Sequence, residues 1–526
     1  MITISVNPRA LAATGRGPGW YYDSIPHRCS RRRGLGWEDY VSFSRVIYIN
    51  GPGNNYTLTG SNTDGVSVIV PTTMNGTLTL DNLTLVGAKY HNAIDIIADR
   101  DFTLRVKNHV TLSNDSEDGW SAIRFSSCPY SSSRSTFILN LAAGATLDAT
   151  GGPDDFGIYA HKAAALIIKG SGTLNARGGD FTRHSDHIRA LPIGIRSDNA
   201  LLVKGSVSVT AQGGDYKGGF DDHRGGSGVC CGSLLTLTGT AKLTAIGGSA
   251  LVPGCFGGDG VTIIRGYSGD SGIRIVNNST APAALTAIGG VGHTVFDSLG
   301  DGIWAHLDKE TLIVKGTGET RATGGHGIAV RSNLIINAGK ITAEGQGAAG
   351  YGLFACGCWN RTTEDWSGGT VTLTGGTVAA YNETCAAATG DKHAYWKTLT
   401  QTGGTLTQTK PADGTGIGGG SSGGGAAITR LVRWILSLFG GGHTGGGGHT
   451  GGGEGNTGNG GGISGDGGTS GGGGISGDGG GNTGGSNTGN GGGNTGGGGP
   501  SGGGEGGGGG GGGGAPTPFA LARVIE

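Results

Sequence analysis

The chain has 526 residues, of which 119 are glycine and only 14% are charged, a composition that excludes an ordinary set of globular cores. Its 37 Lys and Arg residues balance 38 Asp and Glu residues, for a formal net charge of −1, so we expect no nucleic-acid partner. No apolar run approaches the roughly 20 residues of a membrane-spanning helix, so we expect no membrane span.

The strand pattern begins after residue 45. We predict that residues 1–45 form an irregular N-terminal segment. From Val46 onward, runs of four or five β-branched or aromatic residues alternate with Gly, Asn and Asp, as at 46–49 and 66–70. Such runs predict short strands separated by turns.

A unit of three short apolar segments recurs in the second half of this region. Its first segment follows a glycine, as at Gly302, Gly327 and Gly352, which are 25 residues apart. Three short strands and three turns need about this length. We therefore predict an all-β fold, a single-stranded parallel, right-handed β-helix over residues 46–410 with coils of about 25 residues. The residues that should stack in one interior column are Ile158, Ile195, Ile303 and Ile328.

Earlier coils are longer because each carries an insertion after a Gly-Gly pair, as at Gly178 and Gly213. Insertions at one corner of a solenoid project on one side, so we expect them to form a shared binding surface. The ligand-binding residues that we predict in or beside the insertions are Asp180, Phe181, His184, Asp186, Asp215, Tyr216, Phe220, Asp221, Asp222, His223 and Trp304.

The residue types in these insertions suit sugars. Aromatic rings stack on the apolar faces of sugar rings, and Asp, Arg and His side chains can hydrogen-bond the hydroxyl groups. The alternative for each ring is that it covers the core beneath a loop. Oxygen ligands from Asp180, Asp186, Asp221 and Asp222 could hold Ca²⁺, although aspartates that only form turns explain the same residues. We predict no required cofactor.

Three short strings look like the conserved boxes of polygalacturonase-type glycoside hydrolases. They are Asn-Thr-Asp-Gly at 62–65, Asp221-Asp222, and Gly-His-Gly at 325–327. We expect Asp64 and His326 to be separated by roughly ten coils, near 50 Å at ~4.8 Å per coil. The carboxylates of an inverting site lie only ~6.5–9.5 Å apart. We therefore assign no catalytic residue.

The composition changes after Pro411. Residues 411–426 read as a Gly/Ser linker, and residues 440–526 as a disordered glycine-rich tail. Between them, residues 427–439 have Ile428, Leu431 and Ile435 on one face of a short amphipathic helix. We expect this helix to cap the solenoid or to contact a partner.

Several strings also resemble a known family. They are Gly-Ile-Arg-Ser at Gly194, Gly-Ile-Ala-Val at Gly327, Leu-Thr-Ala-Ile-Gly-Gly at Leu243 and Leu285, and Gly-Trp-Tyr-Tyr-Asp at Gly19. With them, region 46–410 resembles the glycine-rich β-helical surface proteins of anaerobic Gram-positive bacteria, a carbohydrate-binding or adhesin-like repeat family. The resemblance implies an extracellular or cell-surface location, and for several such proteins calcium-dependent binding of acidic plant polysaccharides. No signal peptide is visible, so the route of export is not predicted.

Together these patterns predict a non-catalytic extracellular or cell-surface protein that binds polysaccharide through the corner insertions. Many weak contacts along a repetitive surface suit a polymeric ligand. The first alternative is a calcium-dependent polysaccharide lyase or glycoside hydrolase, and the second is a structural adhesin or spacer.

Overall fold

The structure, a computed structural model, is described here for residues 2–9, 11, 16–33, 36–51, 55–72, 74, 76–114, 119–127, 135–181, 192–218, 224–250, 255–265, 273–292, 299–305, 311–347, 350–356, 359–360, 365–366, 368–382 and 394–408. All of them belong to one unit, Met1–His443. The predicted linker 411–426, helix 427–439 and tail 440–526 lie outside the described residues. No helix in the described part of the chain is long and apolar enough to cross a membrane.

β-Strands are the main secondary structure of the described residues. The first nineteen strands are β1 (Ile2–Ser5), β2 (Arg16–Gly17), β3 (Trp20–Arg33), β4 (Gly36–Ile49), β5 (Tyr56–Asn62), β6 (Val66–Val70), β7 (Thr77–Val86), β8 (Ile94–Ala98), β9 (Phe102–Ser113), β10 (Ile123–Ser127), β11 (Thr136–Leu141), β12 (Thr146–Thr150), β13 (Ile158–His161), β14 (Ala165–Gly170), β15 (Thr173–Arg177), β16 (Ile195–Ser197), β17 (Ala200–Gly205), β18 (Ser208–Gln212) and β19 (Val229–Gly232).

The remaining strands are β20 (Leu234–Gly239), β21 (Lys242–Ile246), β22 (Val261–Ile264), β23 (Ile273–Ser279), β24 (Leu285–Ile288), β25 (Ile303–Ala305), β26 (Thr311–Lys315), β27 (Glu319–Gly324), β28 (Ile328–Val330), β29 (Asn333–Ile336), β30 (Lys340–Gly345), β31 (Leu353–Ala355), β32 (Trp359–Asn360), β33 (Asp365–Trp366), β34 (Thr370–Leu373), β35 (Thr377–Asn382), β36 (Ala394–Tyr395), β37 (Thr398–Gln401) and β38 (Thr405–Thr407).

These strands pair in long parallel columns. One sheet has 14 strands, in which β13, β16, β19, β22, β25, β28 and β31 are consecutive neighbours. A second network has 22 strands, and here each of these coils contributes two strands, such as β14 and β15, that pair with the equivalent strands of the next coil. Three strands per coil in parallel register are consistent with the predicted β-solenoid.

The predicted interior column is confirmed. Ile158 pairs with Ile195 and Ile303 pairs with Ile328, and Val229 and Val261 occupy the two coils between them. All of these side chains are fully buried. A one-residue slip would turn them all outward, so their burial sets the register of every coil.

The glycine before each column residue is required by close packing. A Cβ added to Gly327 would lie 2.6 Å from the amide nitrogen of Glu344 in the same coil. It would also lie 2.6 Å from the carbonyl oxygen of Gly352 in the next coil. The repeated Gly-Ile motif therefore marks a corner where the backbone of another strand of the same coil and the backbone of the next coil both lie against the glycine.

The prediction that residues 1–45 are irregular is wrong. Strand β1 pairs in parallel with β5, and β3 and β4 form a long antiparallel hairpin whose second strand pairs with β6. The first coil has an open edge of backbone donors and acceptors, and the N-terminal segment supplies strands that satisfy it. The buried side chains of Ile4 and Trp20 join the main core from this segment.

The described ends of the corner insertions pair with one another from coil to coil. Phe181, Tyr216 and Ala250 are β-bridge partners in three consecutive coils, and Arg224 bridges to Phe256. These described ends lie on one side of the solenoid, between the second network and the 14-stranded sheet. This side holds the candidate site.

Candidate functional site

A recurring Gly-x-Gly string places one side chain at the same position of each coil. In three successive coils the middle residues are Asp259, Asp301 and His326, and in the next it is Tyr351. The glycine after each middle residue donates its backbone N–H to the carbonyl oxygen of the middle residue in the next coil. The distance is 2.9 Å from Gly260 to Asp301 and also from Gly302 to His326. The strings thus stack in register, which brings distant residues of the sequence side by side.

This stack forms the floor of a cleft of about 220 Å³. The cleft opens where the long insertions end, and its far wall comes from the short corners that precede β28 and β31. The residues that line it are Arg224, Phe256, Gly257, Asp259, Leu299, Asp301, Trp304, Gly325, His326, Gln346, Gly350 and Phe354. A concave site with aromatic walls and a few convergent polar groups is typical of ligand-binding pockets.

Two neighbouring carboxyl groups lie at its centre. Oδ1 of Asp259 accepts the backbone N–H of Asp301 at 3.0 Å, and its Oδ2 accepts the hydroxyl of Thr262 at 3.0 Å. Oδ1 of Asp301 accepts the backbone N–H of His326 at 2.8 Å. Asp259 is therefore fully engaged and only 6% exposed, whereas Asp301 is partly exposed and offers its second oxygen to the cleft.

The pKa of both carboxyls lies well above the usual aspartate range. Burial is the largest cause for each, and for Asp259 the nearby charge of Asp301 is the second. Arg224 opposes the shift, but no described Lys or Arg forms an ion pair with either group. The pair therefore keeps a proton at pH values where an exposed aspartate has lost it.

His326 is held as a neutral ring in a fixed orientation. Burial lowers its pKa to about 4, so the imidazole is uncharged at neutral pH. Its Nδ1 accepts the backbone N–H of Tyr351 at 3.1 Å, which leaves the ring proton on Nε2. The ring stacks on Phe354 with centroids 4.1 Å apart and on Tyr351 at 5.6 Å. His326 is thus a rigid hydrogen-bond donor.

Aromatic rings frame the carboxyl pair on three sides. Trp304 and Phe354 project from the outer face of the 14-stranded sheet, two coils apart in register, with the small Ala329 between them. Phe256 lies at the opposite wall under the guanidinium of Arg224, 5.4 Å from the ring centroid. All three rings are partly exposed.

The structure places the predicted site residues in different environments. Trp304 lies in the cleft, as a ligand-binding residue should. Phe181 and Tyr216 do not form the exposed row of rings that we expected, because they pack against each other, Ala250 and Cys255, with 8% and 0% of their surface exposed. Their β-bridge pairing continues the parallel register into the corner, where both rings are buried in a small cluster of their own. The alternative, that these rings cover the core, describes them.

Asp180 and Asp215 lie beside these buried rings, outside the cleft. Asp180 forms ion pairs with Arg177 at 2.9 Å and Lys217 at 2.6 Å, and Asp215 lies 3.6 Å from Arg177. Their Oδ1 atoms accept backbone N–H groups of the next coil, from Asp215 and Ser249. The same backbone contact is made by Asp259 and Asp301, but here Asp180 has two cationic partners that lower its pKa. Burial and the charge of Asp180 still raise the pKa of Asp215.

The other predicted ligand-binding residues, His184, Asp186, Phe220, Asp221, Asp222 and His223, lie outside the described residues. Within the described ranges, no group of three or more His, Cys, Asp or Glu side chains could hold a metal ion. The cysteines that the structure describes, at positions 230, 231, 255 and 356, are buried free thiols.

The hydrolase boxes are far apart, as expected, but the coil count was too high. Strand β6, which follows Asp64, and β28, which follows His326, are eight steps apart in the 14-stranded sheet, about 38 Å at ~4.8 Å per step. His326 nevertheless belongs to the cleft, with Asp259 and Asp301 as its neighbours. The recurring Gly-x-Gly immediately before the Gly-Ile column was the sequence signal that could have found all three.

No family model matches the chain, and neither a curated protein nor a solved structure matches it.

Proposed function

We propose that the protein is a non-catalytic extracellular or cell-surface protein that binds polysaccharide, and that the cleft between Phe256 and Phe354 is its binding site. The observation that carries the proposal is the carboxyl pair framed by three partly exposed rings. Rings of this kind supply stacking surface for a pyranose, and the carboxyl and imidazole groups match its hydroxyls. The site thus moves from the insertion loops to the point where the insertions end.

The fold proposed for this function is a right-handed β-helix with a basic coil of about 25 residues. The paired residues Ile303, Ile328 and Leu353 are 25 positions apart, which supports the coil length. The strong preference of parallel crossover connections for the right hand supports the handedness. The relation to glycine-rich surface proteins of Gram-positive anaerobes belongs to the same proposal and rests on the repeat strings.

Glycoside hydrolysis is the second candidate, and one observation favours it. Glycosidases use two carboxyl groups on either side of the scissile bond, and here Asp259 and Asp301 are adjacent. Both oxygens of Asp259 are already hydrogen-bonded, however, and its side chain is nearly inaccessible. Only Asp301 can reach a sugar, so the geometry favours binding.

A glycan array followed by a product assay tests the proposal. We expect the purified chain to retain at least one class of polysaccharide and to release no reducing ends or unsaturated products from it. Product release would favour the hydrolase or lyase, and chelator sensitivity of that release would identify a calcium-dependent enzyme. Attachment to cells without affinity for any glycan would leave the structural adhesin or spacer.

A further inference from the structure

We infer that the cleft selects an uncharged pyranose and rejects a uronate. The inference rests on the proposed function and goes beyond it, because it names the ligand class. It also runs against the acidic polysaccharides that the family resemblance implies. Three features of the described residues carry it: the charge of the floor, the inventory of donors and acceptors, and the positions of the two nearby guanidinium groups. These belong to Arg224 in the lining and to Arg331, which lies over the Trp304 ring at 5.8 Å from its centroid.

The floor of the cleft is acidic. Asp259 and Asp301 lie one coil apart and are not paired with any described cation. Even when the two share a proton, the pair carries one negative charge. A sugar carboxylate seated between the rings would lie against that charge in a partly desolvated site, where like-charge repulsion is strong. A sugar hydroxyl in the same place would donate to the open oxygen of Asp301.

The remaining polar groups at the floor are neutral. His326 presents its Nε2 proton as a donor, because Nδ1 is occupied by the N–H of Tyr351. Gln346, also in the lining, offers both a donor and an acceptor. Hydroxyl groups both donate and accept, so a mixed set of this kind matches a polyol better than a carboxylate, which only accepts.

The single cation of the lining lies at the rim. Arg224 is exposed, and its guanidinium covers the ring of Phe256. It can hydrogen-bond a sugar that stacks on the neighbouring rings. Its charge also acts on Asp259 and Asp301 and lowers the pKa of both, but it forms no ion pair with either, and burial keeps both pKa values raised. If Arg224 instead bound a uronate, its removal would abolish binding of acidic glycans, which gives the test a decisive variant.

The experiment compares polymers that differ only in charge. Acidic glycans such as polygalacturonate, glucuronoxylan and alginate are each paired with their carboxyl-reduced forms, and affinity is measured by titration calorimetry with the full chain, with calcium and with chelator. At least one carboxyl-reduced polymer should bind, and its affinity should be at least about tenfold higher than that of its acidic parent, both with calcium and with chelator.

A matched pair of variants assigns the selectivity to the floor of the cleft. Asp301→Asn keeps the Oδ1 acceptor for the His326 N–H and removes the charge, so we expect the preference for the reduced polymer to shrink severalfold. Asp215→Asn makes the same change at an equivalent backbone contact outside the cleft and should leave the preference unchanged. A single cooperative unfolding transition in each variant, with a midpoint no lower than that of the parent chain, shows that both variants keep the fold.

Two results would overturn the inference and leave polysaccharide binding intact. One is that any acidic polymer binds more tightly than its carboxyl-reduced form, and the other is that Arg224→Gln abolishes the binding of an acidic polymer. Calcium-dependent capture of polygalacturonate would do the same. Failure to bind any polymer of either charge would overturn both the inference and the proposed function.

Discussion

Aromatic and aspartate side chains lie at the same corner of the solenoid in the upstream and the downstream coils, but in different surroundings. In the upstream coils, Phe181 and Tyr216 are buried, and Asp180 is neutralised by Arg177 and Lys217. In the downstream coils the rings line a cleft, and Asp301 has no ion-pair partner among the described residues. Both aspartates accept a backbone N–H of the next coil. The backbone contact is therefore structural in both regions, and among the described residues of the two corners it is Asp301 that has an oxygen left to bind a ligand.

The length of the insertions explains the difference. Upstream, isolated β-bridges join the described end of one insertion to the next, and the rings pack in a buried cluster there. Downstream, only three residues separate β27 from β28, so nothing from that corner fills the space above Asp301. The predictions below test whether the two regions are separable, from the largest expected effect to the smallest.

Removing a buried ring upstream should damage stability and spare binding. Tyr216→Ala deletes a fully buried side chain, and large-to-small changes of aromatic residues cost about 3–5 kcal/mol. We expect a drop of about 3 kcal/mol in the free energy of unfolding, measured by urea denaturation, with glycan affinity unchanged. Tyr216→Phe keeps the ring and should lose far less. A loss of affinity in Tyr216→Ala at temperatures where it remains folded would show that the regions are coupled.

Acid should destabilise the downstream region through His326. Its folded pKa of about 4 lies below the value of about 6.5 for a free histidine, so the unfolded chain binds the proton more readily. Stability from the neutral ring is complete above pH 6.5 and falls as the pH drops toward 4. We expect a loss of about 2–3 kcal/mol over this window, seen in denaturation midpoints. His326→Gln should remove that component, and an unchanged pH slope in this variant would contradict the assignment.

Removing a ring in the cleft should lower glycan affinity and spare stability, the reverse of removing a buried ring. Trp304→Leu keeps an apolar side chain on a partly exposed strand position and deletes the stacking surface. We expect glycan affinity to fall about two- to tenfold, since a stacked ring contributes about 0.5–1.5 kcal/mol, while the free energy of unfolding changes little. Tyr159→Leu is the control, because Tyr159 occupies the same register column of the 14-stranded sheet, outside the cleft. Equal losses in both variants would remove the cleft from the binding site.

Much of the fold could be predicted because its signals are local and repeated. Alternation of apolar and polar residues marked the strands, and the Gly-Ile motif marked the column that Ile303 and Ile328 share. The site depended on lateral contacts that a linear pattern does not encode. Asp259 and Asp301 are 42 positions apart and meet because their Gly-x-Gly strings stack in register on successive coils. Sequence also cannot tell whether a loop aromatic such as Tyr216 faces inward, since the polar residues around it are the same in either case.

The smallest effects should separate the two regions by sign. Burial alone would raise the pKa of Asp180, but Arg177 and the hydrogen bond from Lys217 outweigh it and lower the pKa. Its ionised form therefore stabilises the fold above the unfolded pKa of about 4, and that contribution is lost as the pH falls. The raised pKa of Asp301 has the reverse consequence: its contribution is present below pH 4 and is lost as the pH rises.

Asparagine variants turn this contrast into a measurement. Relative to the parent chain, Asp180→Asn should be about 1 kcal/mol less stable at pH 7, with the difference vanishing near pH 3. Asp301→Asn should gain about 1 kcal/mol at pH 8, with the difference vanishing near pH 4. Urea denaturation across pH 3–8 gives both slopes from one set of curves. Slopes of the same sign would mean that the carboxylate in the cleft is compensated like the upstream one, and the argument for a ligand-binding floor would fail with it.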